Sequence, residues 1–441
     1  MRVMKTDTAE RAALLARRRR NLSAQLAEVG WYHSIELPDG SVIQGLMPPE
    51  YLHYRMQLMP VPQDLSGKRV LDIGAWDGWF TFESERRGAS VTALDCIEVD
   101  NFLKARELMK SRADYQIMDV MEMSPARLGY FDFVLCLGVL YHLKHPLAAL
   151  EKVCELTRDL AIVESFVVSD QSPVIPTMEF YETMELGDQL DNWVGPTVEC
   201  LKALCRTAGF ARVEVLEAAG DRACIACWRK WAEFTPVSPA PELVTARHAW
   251  NSGINFQTPR DEYVAAVVLS SEERLDRFEV YPEVDGFGVI PIWVAPSGEN
   301  RFRVNFKLPL GLSPGWHDVR IRVRDSHWSN SVRVAVDLPL QTEGVRIVSV
   351  CDSHSWAQGV IDLPRGEISA WVAGLPDNAD IQNLKAYAAG LRHEVTYVEA
   401  QEGSSGRQVN IRLRAGFAHG RHEMTLRFGS AVSEPVGFEA V

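Results

Sequence analysis

From Arg69 onward the chain alternates short apolar runs with stretches of helical periodicity, and no other feature constrains its fold as tightly. The runs fall at 69–73, 90–94, 115–117, 133–137, 159–164, 213–216 and 224–228, with helical stretches at 79–87, 101–111, 147–156 and 198–208. Runs of this length read as buried strands, and strands joined through helices lie parallel. The pattern therefore predicts an α/β fold with a doubly wound, seven-stranded sheet. The last two runs follow each other closely and are expected to pair antiparallel.

A chain of 441 residues has room for about three domains. Ahead of the sheet, Ala and Leu recur at helical spacing over 8–29 around an arginine run at 17–20, and 31–43 read as a hairpin about Pro38-Asp39-Gly40-Ser41. This places an N-terminal helix and hairpin cap at 1–62 and the α/β domain at 63–233. Prolines at 236, 239 and 241 mark a linker over 234–257. Beyond it the chain repeats itself. Val304-Asn305-Phe306 and Gly315-Trp316-His317 return as Val409-Asn410-Ile411 and Gly420-Arg421-His422, at a constant offset of 105 residues. A strand, a Gly-containing turn and an alternating strand, used twice, predict two all-β, immunoglobulin-like sandwiches at 258–341 and 342–441. Trp316, Trp328, Trp356 and Trp371 are expected in their cores rather than on a sugar platform.

Charge narrows the choice of partners. Lys and Arg number 46 against 59 Asp and Glu, and the net charge of -13 opposes a nucleic-acid backbone. No run reaches the ~18 apolar residues of a membrane span, and arginines stand where a signal peptide needs apolar residues, so a cytoplasmic location is expected. The eight cysteines follow no disulfide framework and read as reduced core thiols. Cys224 and Cys227 form a C-x-x-C within an apolar strand. Positions three apart on a strand face opposite sides, so no metal is expected there.

The chemistry concentrates in Arg69-Val70-Leu71-Asp72-Ile73-Gly74-Ala75-Trp76-Asp77-Gly78-Trp79-Phe80. A buried strand runs into Gly74, and Gly78 opens the next helix, so the backbone at Ala75 and Trp76 passes close under a ligand at the carboxyl edge of the sheet. The second strand ends in Asp95, 21 residues after Gly74, followed by Cys96; a carboxylate there suits both hydroxyls of a ribose. The third ends at Asp119, placed for the exocyclic amine of an adenine, with Val120 as an apolar neighbour. Trp76 replaces the middle glycine of a dinucleotide fingerprint, which favours a nucleoside lacking phosphates.

These residues carry a resemblance. Val-Leu-Asp-Ile-Gly-Ala-Trp-Asp-Gly, with Asp95 and Asp119 beyond it, resembles the class I S-adenosylmethionine-dependent methyltransferases over approximately 65–228. The segment from Gly138 to Leu147, Gly-Val-Leu-Tyr-His-Leu-Lys-His-Pro-Leu, looks like the bacterial tRNA wobble-uridine carboxymethyltransferase family and its relatives. The resemblance implies a Rossmann-like methyltransferase domain in which Gly74 and Gly78 line the methionine part, Asp95 the ribose and Asp119 the adenine. It places Leu137, Tyr141 and His142 at the floor near the sulfonium. That family uses a carboxylated cofactor held by a lysine ahead of the first strand and by the counterpart of Tyr141. Here Lys5 and Lys68 are the only lysines before the glycine turn, and Arg55 is the remaining candidate anchor, so plain S-adenosyl-L-methionine is the expected cofactor.

Methyl transfer from a sulfonium is an in-line displacement, which mainly requires alignment and exclusion of water. A protonated acceptor gains from a general base, and His142 and His33 are the candidates, with Tyr141 beside them. After the fifth strand an insertion carrying Glu179, Tyr181, Asn192 and Trp193 is expected to cover the acceptor; Tyr32 of the hairpin is a further candidate contact. The reading is a methyltransferase acting on an oxygen, nitrogen or sulfur of a small-molecule acceptor. Its alternatives are a tRNA wobble-uridine modifying enzyme and a scaffold whose sandwiches bind a glycan or protein while the methyltransferase domain lacks turnover. Sandwich edges and the N-terminal helix also suit a homodimer.

Overall fold

A computed structural model describes residues 30–169, 175–250, 253–257, 263–338, 344–400, 406–429 and 431–441. The helix expected over 8–29 lies outside these residues. The chain divides into two compact units, the first built mainly from the residues up to Glu233 and the second mainly from Phe234 onward.

In the first unit the expected hairpin forms from β1 (Ile35–Glu36) and β2 (Val42–Ile43), which pair antiparallel, followed by α1 (Pro49–Leu58). The alternation that follows is β3 (Arg69–Ile73), α2 (Trp79–Arg86), β4 (Ser90–Asp95), α3 (Asp100–Met109), β5 (Asp114–Ile117), α4 (Pro125–Leu128), β6 (Phe131–Leu137), α5 (Pro146–Leu156) and β7 (Thr157–Phe166). A small hairpin, β8 (Met178–Phe180) with β9 (Val194–Pro196), precedes α6 (Val198–Thr207), β10 (Arg212–Ala219) and β11 (Arg222–Trp228). Thr197 caps α6, its hydroxyl accepting the Cys200 N–H at 3.2 Å.

Seven strands form one sheet in the order β10-β11-β7-β6-β3-β4-β5. Neighbours from β7 to β5 run parallel, and β11 is antiparallel to both β7 and β10. The chain leaves β3 in one direction to β4 and β5, and later returns to its other side with β6. That reversal opens a crevice at the carboxyl ends of β3 and β6, where doubly wound sheets bind their ligands. Alternate residues supply opposite faces: Leu71, Ile73, Val134 and Cys136 pack into one core, Val70, Phe133 and Leu135 into the other. Cys227 belongs to the first core and Cys224 to the second, so the two thiols of the C-x-x-C do face apart. All eight cysteines are free.

Among the described residues the second unit is built of strands, apart from one 3-10 turn at Arg277–Glu279. One sheet runs Glu242–His248, Tyr263–Leu269, Arg301–Lys307, Pro291–Gly298, and Val264, Ala266 and Val268 on its second strand are fully buried in alternation. Its companion includes Val280–Val284, Gly315–Val323 and Val332–Val336. Within 344–441 the strand order begins Arg346–Asp352, Glu367–Ala373, Arg407–Arg412, Leu391–Val398 and ends Val436–Ala440, Val360–Ile361. The Gly359 N–H donates to Val350 O at 3.0 Å, which brings the end of that order back to its start. Gly315–Val323 and Gly420–Phe428 begin and end 105 residues apart, the offset of the sequence repeat. The expectation for the four tryptophans fails: Trp356 is 55% exposed, because it stands on a turn outside the strands, and Trp316, Trp328 and Trp371 are half-buried rather than in the cores. Among the described residues no helix is long and apolar enough to cross a membrane.

Candidate active site

The turn after β3 is held in a conformation that few residues accept. Gly74, Trp76 and Gly78 have φ of 71°, 53° and 89°. A Cβ at Gly74 would lie 2.4 Å from Val139 Cγ2, and one at Gly78 2.7 Å from the Phe82 ring. Both glycines are therefore required by space as well as by φ. Trp76 adopts the left-handed backbone that a glycine would hold in a dinucleotide site, at a cost of about 1–2 kcal/mol. Its ring is 44% exposed.

Around this turn the expected cofactor residues converge. Asp95 ends β4, and its Oδ2 accepts the Trp76 N–H at 3.1 Å and the Tyr115 hydroxyl at 3.4 Å. Burial, and then the charge of Asp72, push Asp95 up to about 7. Asp72 lies beneath the turn, accepts the Thr81 hydroxyl at 2.6 Å, and is pushed up by burial to about 6. Asp119 is exposed and caps the Val120–Glu122 turn through the Met121 N–H at 2.8 Å. Ala75 is buried, Cys96 exposed, and Val120 and Leu137 half-buried.

The N-terminal hairpin is tied to the same turn. Asp77 Oδ2 accepts the backbone N–H of Tyr32 at 2.6 Å and of His33 at 2.8 Å. His33 is buried edge-on to Phe80, with ring centroids 5.9 Å apart, and its Nδ1 has no hydrogen-bond partner. Burial lowers it to about 4, so the imidazole is neutral at physiological pH and a weak base. Burial also raises Tyr32 to about 12, against the opposing charge of Arg222.

Beside Tyr32 stands a polar cluster from the other half of the sheet. Arg222 forks onto Glu164 through Nε to Oε1 and Nη2 to Oε2, both 2.6 Å, and its guanidinium lies 5.0 Å from the Tyr141 ring centroid. Arg55 is buried, 3.9 Å from Glu164 and 2.9 Å from Glu217. His142 follows Tyr141, with Nδ1 3.3 Å from Asp191 Oδ2. The insertion is fastened at this point, since the Trp193 N–H donates to Tyr141 O at 2.8 Å and Lys144 Nζ lies 4.2 Å over the Trp193 ring. Within it Tyr181 packs against Phe166, Val168 and Leu186 and donates to Glu179 at 2.9 Å. Asn192 is fully buried, its amide donating to Leu186 O at 2.7 Å.

Sequence reasoning gave no role to Asp77, Glu164 or Arg222. Asp77 sat in plain view inside the glycine turn; the other two meet only through the antiparallel register that sets β11 against β7, Arg222 opposite Phe166 and Cys224 opposite Glu164. The unpartnered His33 Nδ1 and the carboxyl of Asp95 fit a ligand that brings hydroxyls and a positive charge of its own.

A doubly wound sheet with this strand order, a glycine turn at its reversal and an acid ending the next strand define a nucleoside-binding domain of the methyltransferase type. Residues 44–215 match the family model described as a methyltransferase domain, so this part of the chain is such a domain, and S-adenosylmethionine is the cofactor of that class. The tRNA U34 carboxymethyltransferase of Pseudomonas paraeruginosa (strain PA7) is 30% identical over 154 residues, which are 34% of this chain and 46% of that protein. The one from Pseudomonas syringae pv. syringae is 29% identical over 181 residues, 40% of this chain and 55% of its own. The chain thus spans about half the length of the curated relatives it matches. Among solved structures, the N-terminal domain of EvdMO1 with SAH bound is similar at 22% identity and a TM-score of 0.34, covering 48% of this chain and 95% of that one.

Proposed function

We propose that residues 30–233 transfer a methyl group from S-adenosylmethionine to an oxygen, nitrogen or sulfur of a small-molecule acceptor. The observation that carries this reading is the hairpin pinned by Asp77 over the glycine turn, which sets Tyr32 and His33 against the carboxyl ends of the strands beside Asp95. When bound, S-adenosylmethionine supplies an electrophilic methyl on a sulfonium and leaves as S-adenosylhomocysteine.

The chain's own residues do the rest. Gly74 and Gly78 let the backbone approach the methionine part, with Ala75 and Trp76 between them. Both bonds to Asp95 fall on Oδ2, so Oδ1 is the oxygen for the ribose hydroxyls. Asp119 takes the adenine amine, with Val120 and Leu137 against the ring. Tyr32, Tyr141 and the Arg222–Glu164 pair wall the reacting end and hold water away, the condition under which an in-line displacement needs little beyond alignment. His142 is the proton acceptor, its Nδ1 held by Asp191 at 3.2 Å from the backbone O and 3.3 Å from Oδ2, a role worth ~10²–10⁴ in rate for a group that must lose a proton. His33, neutral and weakly basic, positions rather than deprotonates. Glu179 and Trp193 border the acceptor, while Tyr181 and Asn192 hold the insertion in shape. Arg55 supports Glu164 from beneath.

A tRNA acceptor is the second reading, favoured by the name of the relatives and by Tyr141. Against it stand the net charge of -13 and the fork of Arg222, whose Nε and Nη2 are taken by Glu164 rather than offered to an added carboxylate. A glycan or protein partner of the all-β unit, which we take to be two immunoglobulin-like modules, completes the proposal. The test is incubation of the full chain with methyl-tritiated S-adenosylmethionine, once with a small-molecule cell extract and once with bulk tRNA. Label in the small-molecule fraction, lost on His142→Ala, supports the first reading; label in RNA supports the second; label in neither overturns methyl transfer.

A further inference from the structure

The outer face of the 344–441 sheet carries a second constellation, remote in sequence from the residues of the methyltransferase domain and independent of the reaction proposed for them. Trp356 is a bulky residue with a φ of 61°, and it is 55% exposed. A left-handed backbone and a solvated indole both cost free energy, and such strain persists only where the surroundings over-determine it. They do so here. Asp352 Oδ1 accepts the N–H of His354 at 3.0 Å and of Ser355 at 2.8 Å, its Oδ2 accepts the Asp362 N–H at 3.1 Å, and the Trp356 N–H donates to Asp352 O at 3.0 Å. The turn fixes the backbone from which the indole reaches into water.

That ring stands next to another. Trp371, on the strand Glu367–Ala373, lies 5.9 Å from Trp356 between centroids, at an interplanar angle of 49°. Register puts Gln408 directly opposite Trp371, and Asn410 opposite both Ser369 and Tyr397. Residues paired across strands share a face, so these side chains rise beside the tryptophans. Asn410 Oδ1 accepts from Gln408 Nε2 at 2.9 Å and from the Ser369 hydroxyl at 3.0 Å, which fixes the amides in a ladder. Tyr397 adds a third ring, 44% exposed. Along the border Arg412 is shared between Glu367 and Glu394, each at 3.2 Å, so this border carries one carboxylate in excess.

We propose that this face binds a saccharide, an uncharged pyranose chain stacked on Trp356 and Trp371 with its hydroxyls on Gln408 and Asn410. Apolar ring faces suit the C–H side of a sugar, preset amides suit hydroxyls that both donate and accept, and a border whose one cation is taken by two carboxylates offers nothing to an anion. The test is titration of the full chain with cellohexaose, maltohexaose and chitohexaose, each followed by tryptophan fluorescence. A saturable change with at least one of them is expected, weakened about tenfold or more by Trp371→Ala and by Trp356→Gly. Glycine suits the left-handed turn, so the second variant keeps its melting temperature, and calorimetric binding of S-adenosylhomocysteine stays unchanged in both. No saturable change with any of the three sugars overturns the proposal. So does an affinity that both variants leave intact, or retention of an immobilised protein partner rather than sugar on the same two tryptophans.

Discussion

The Asp77 carboxylate accepts the backbone N–H of His33, 44 residues upstream, at 2.8 Å. The same oxygen takes the N–H of Tyr32, so one side chain in the glycine turn fixes the position of the hairpin beside it. The glycine turn and the hairpin are thus a single mechanical unit.

Asp77→Ala leaves the buried N–H of His33 and the half-buried N–H of Tyr32 without an acceptor, a loss of about 1–3 kcal/mol for the buried group and less for the other. The hairpin should loosen. The expected result is cleavage by a protease at the exposed turn about Asp39 and Gly40, together with about tenfold weaker S-adenosylhomocysteine binding by calorimetry. Wild-type resistance to the protease in this variant would mean that the tie is dispensable.

Asp95 sets a pH dependence of definite sign. Its folded value of about 7 lies above the ordinary carboxyl range, so the folded, unliganded chain binds the proton more tightly than the unfolded chain. Its contribution to stability is greatest at low pH and is lost as pH rises toward 7. On the role proposed for Asp95, cofactor binding needs the ionised form and should strengthen about tenfold per unit up to about pH 7, then level off. Asp95→Asn removes the burden and should raise the melting temperature by ~2–4 °C at about pH 8, the shift expected for about 1 kcal/mol, while abolishing cofactor binding. Calorimetry across pH and thermal melts of the two proteins check both halves.

Glu164→Gln isolates the ion pair. Arg222 keeps 32% of its side-chain exposure, so the loss should fall below the ~3–5 kcal/mol of a fully buried pair, at about 1–3 kcal/mol by urea unfolding. The double change Glu164→Gln with Arg222→Met should recover part of it. A double variant as unstable as the sum of the singles would contradict a direct coupling.

For catalysis, His142→Ala should lower kcat ~10²–10⁴-fold while leaving cofactor affinity unchanged, and Asp191→Asn should give a smaller drop, since the backbone O of Asp191 still holds Nδ1. Equal turnover by His142→Ala would assign His142 to structure alone.

Much of this was legible in the chain. The two-residue period of Val70, Leu71 and Ile73, divided between two cores, showed a central strand buried on both faces, and the spacing from Gly74 to Asp95 located the carboxylate because both sit at the ends of adjacent parallel strands. What stayed hidden depends on pairing across long separations. Arg222 and Glu164 are 58 residues apart and meet only through the register of β11 on β7, and Arg55 reaches Glu217 across 162 residues. Trp356 looked like a core tryptophan because composition carries no information on which face of a turn a ring will take.

Calorimetric titration of S-adenosylhomocysteine into the wild-type chain and into Asp95→Ala tests the central claim most directly. Methyl transfer at this crevice predicts a single saturable site in the wild type and none in a variant that still melts cooperatively. Absence of heat in the wild type, or the same isotherm in both proteins, would contradict it.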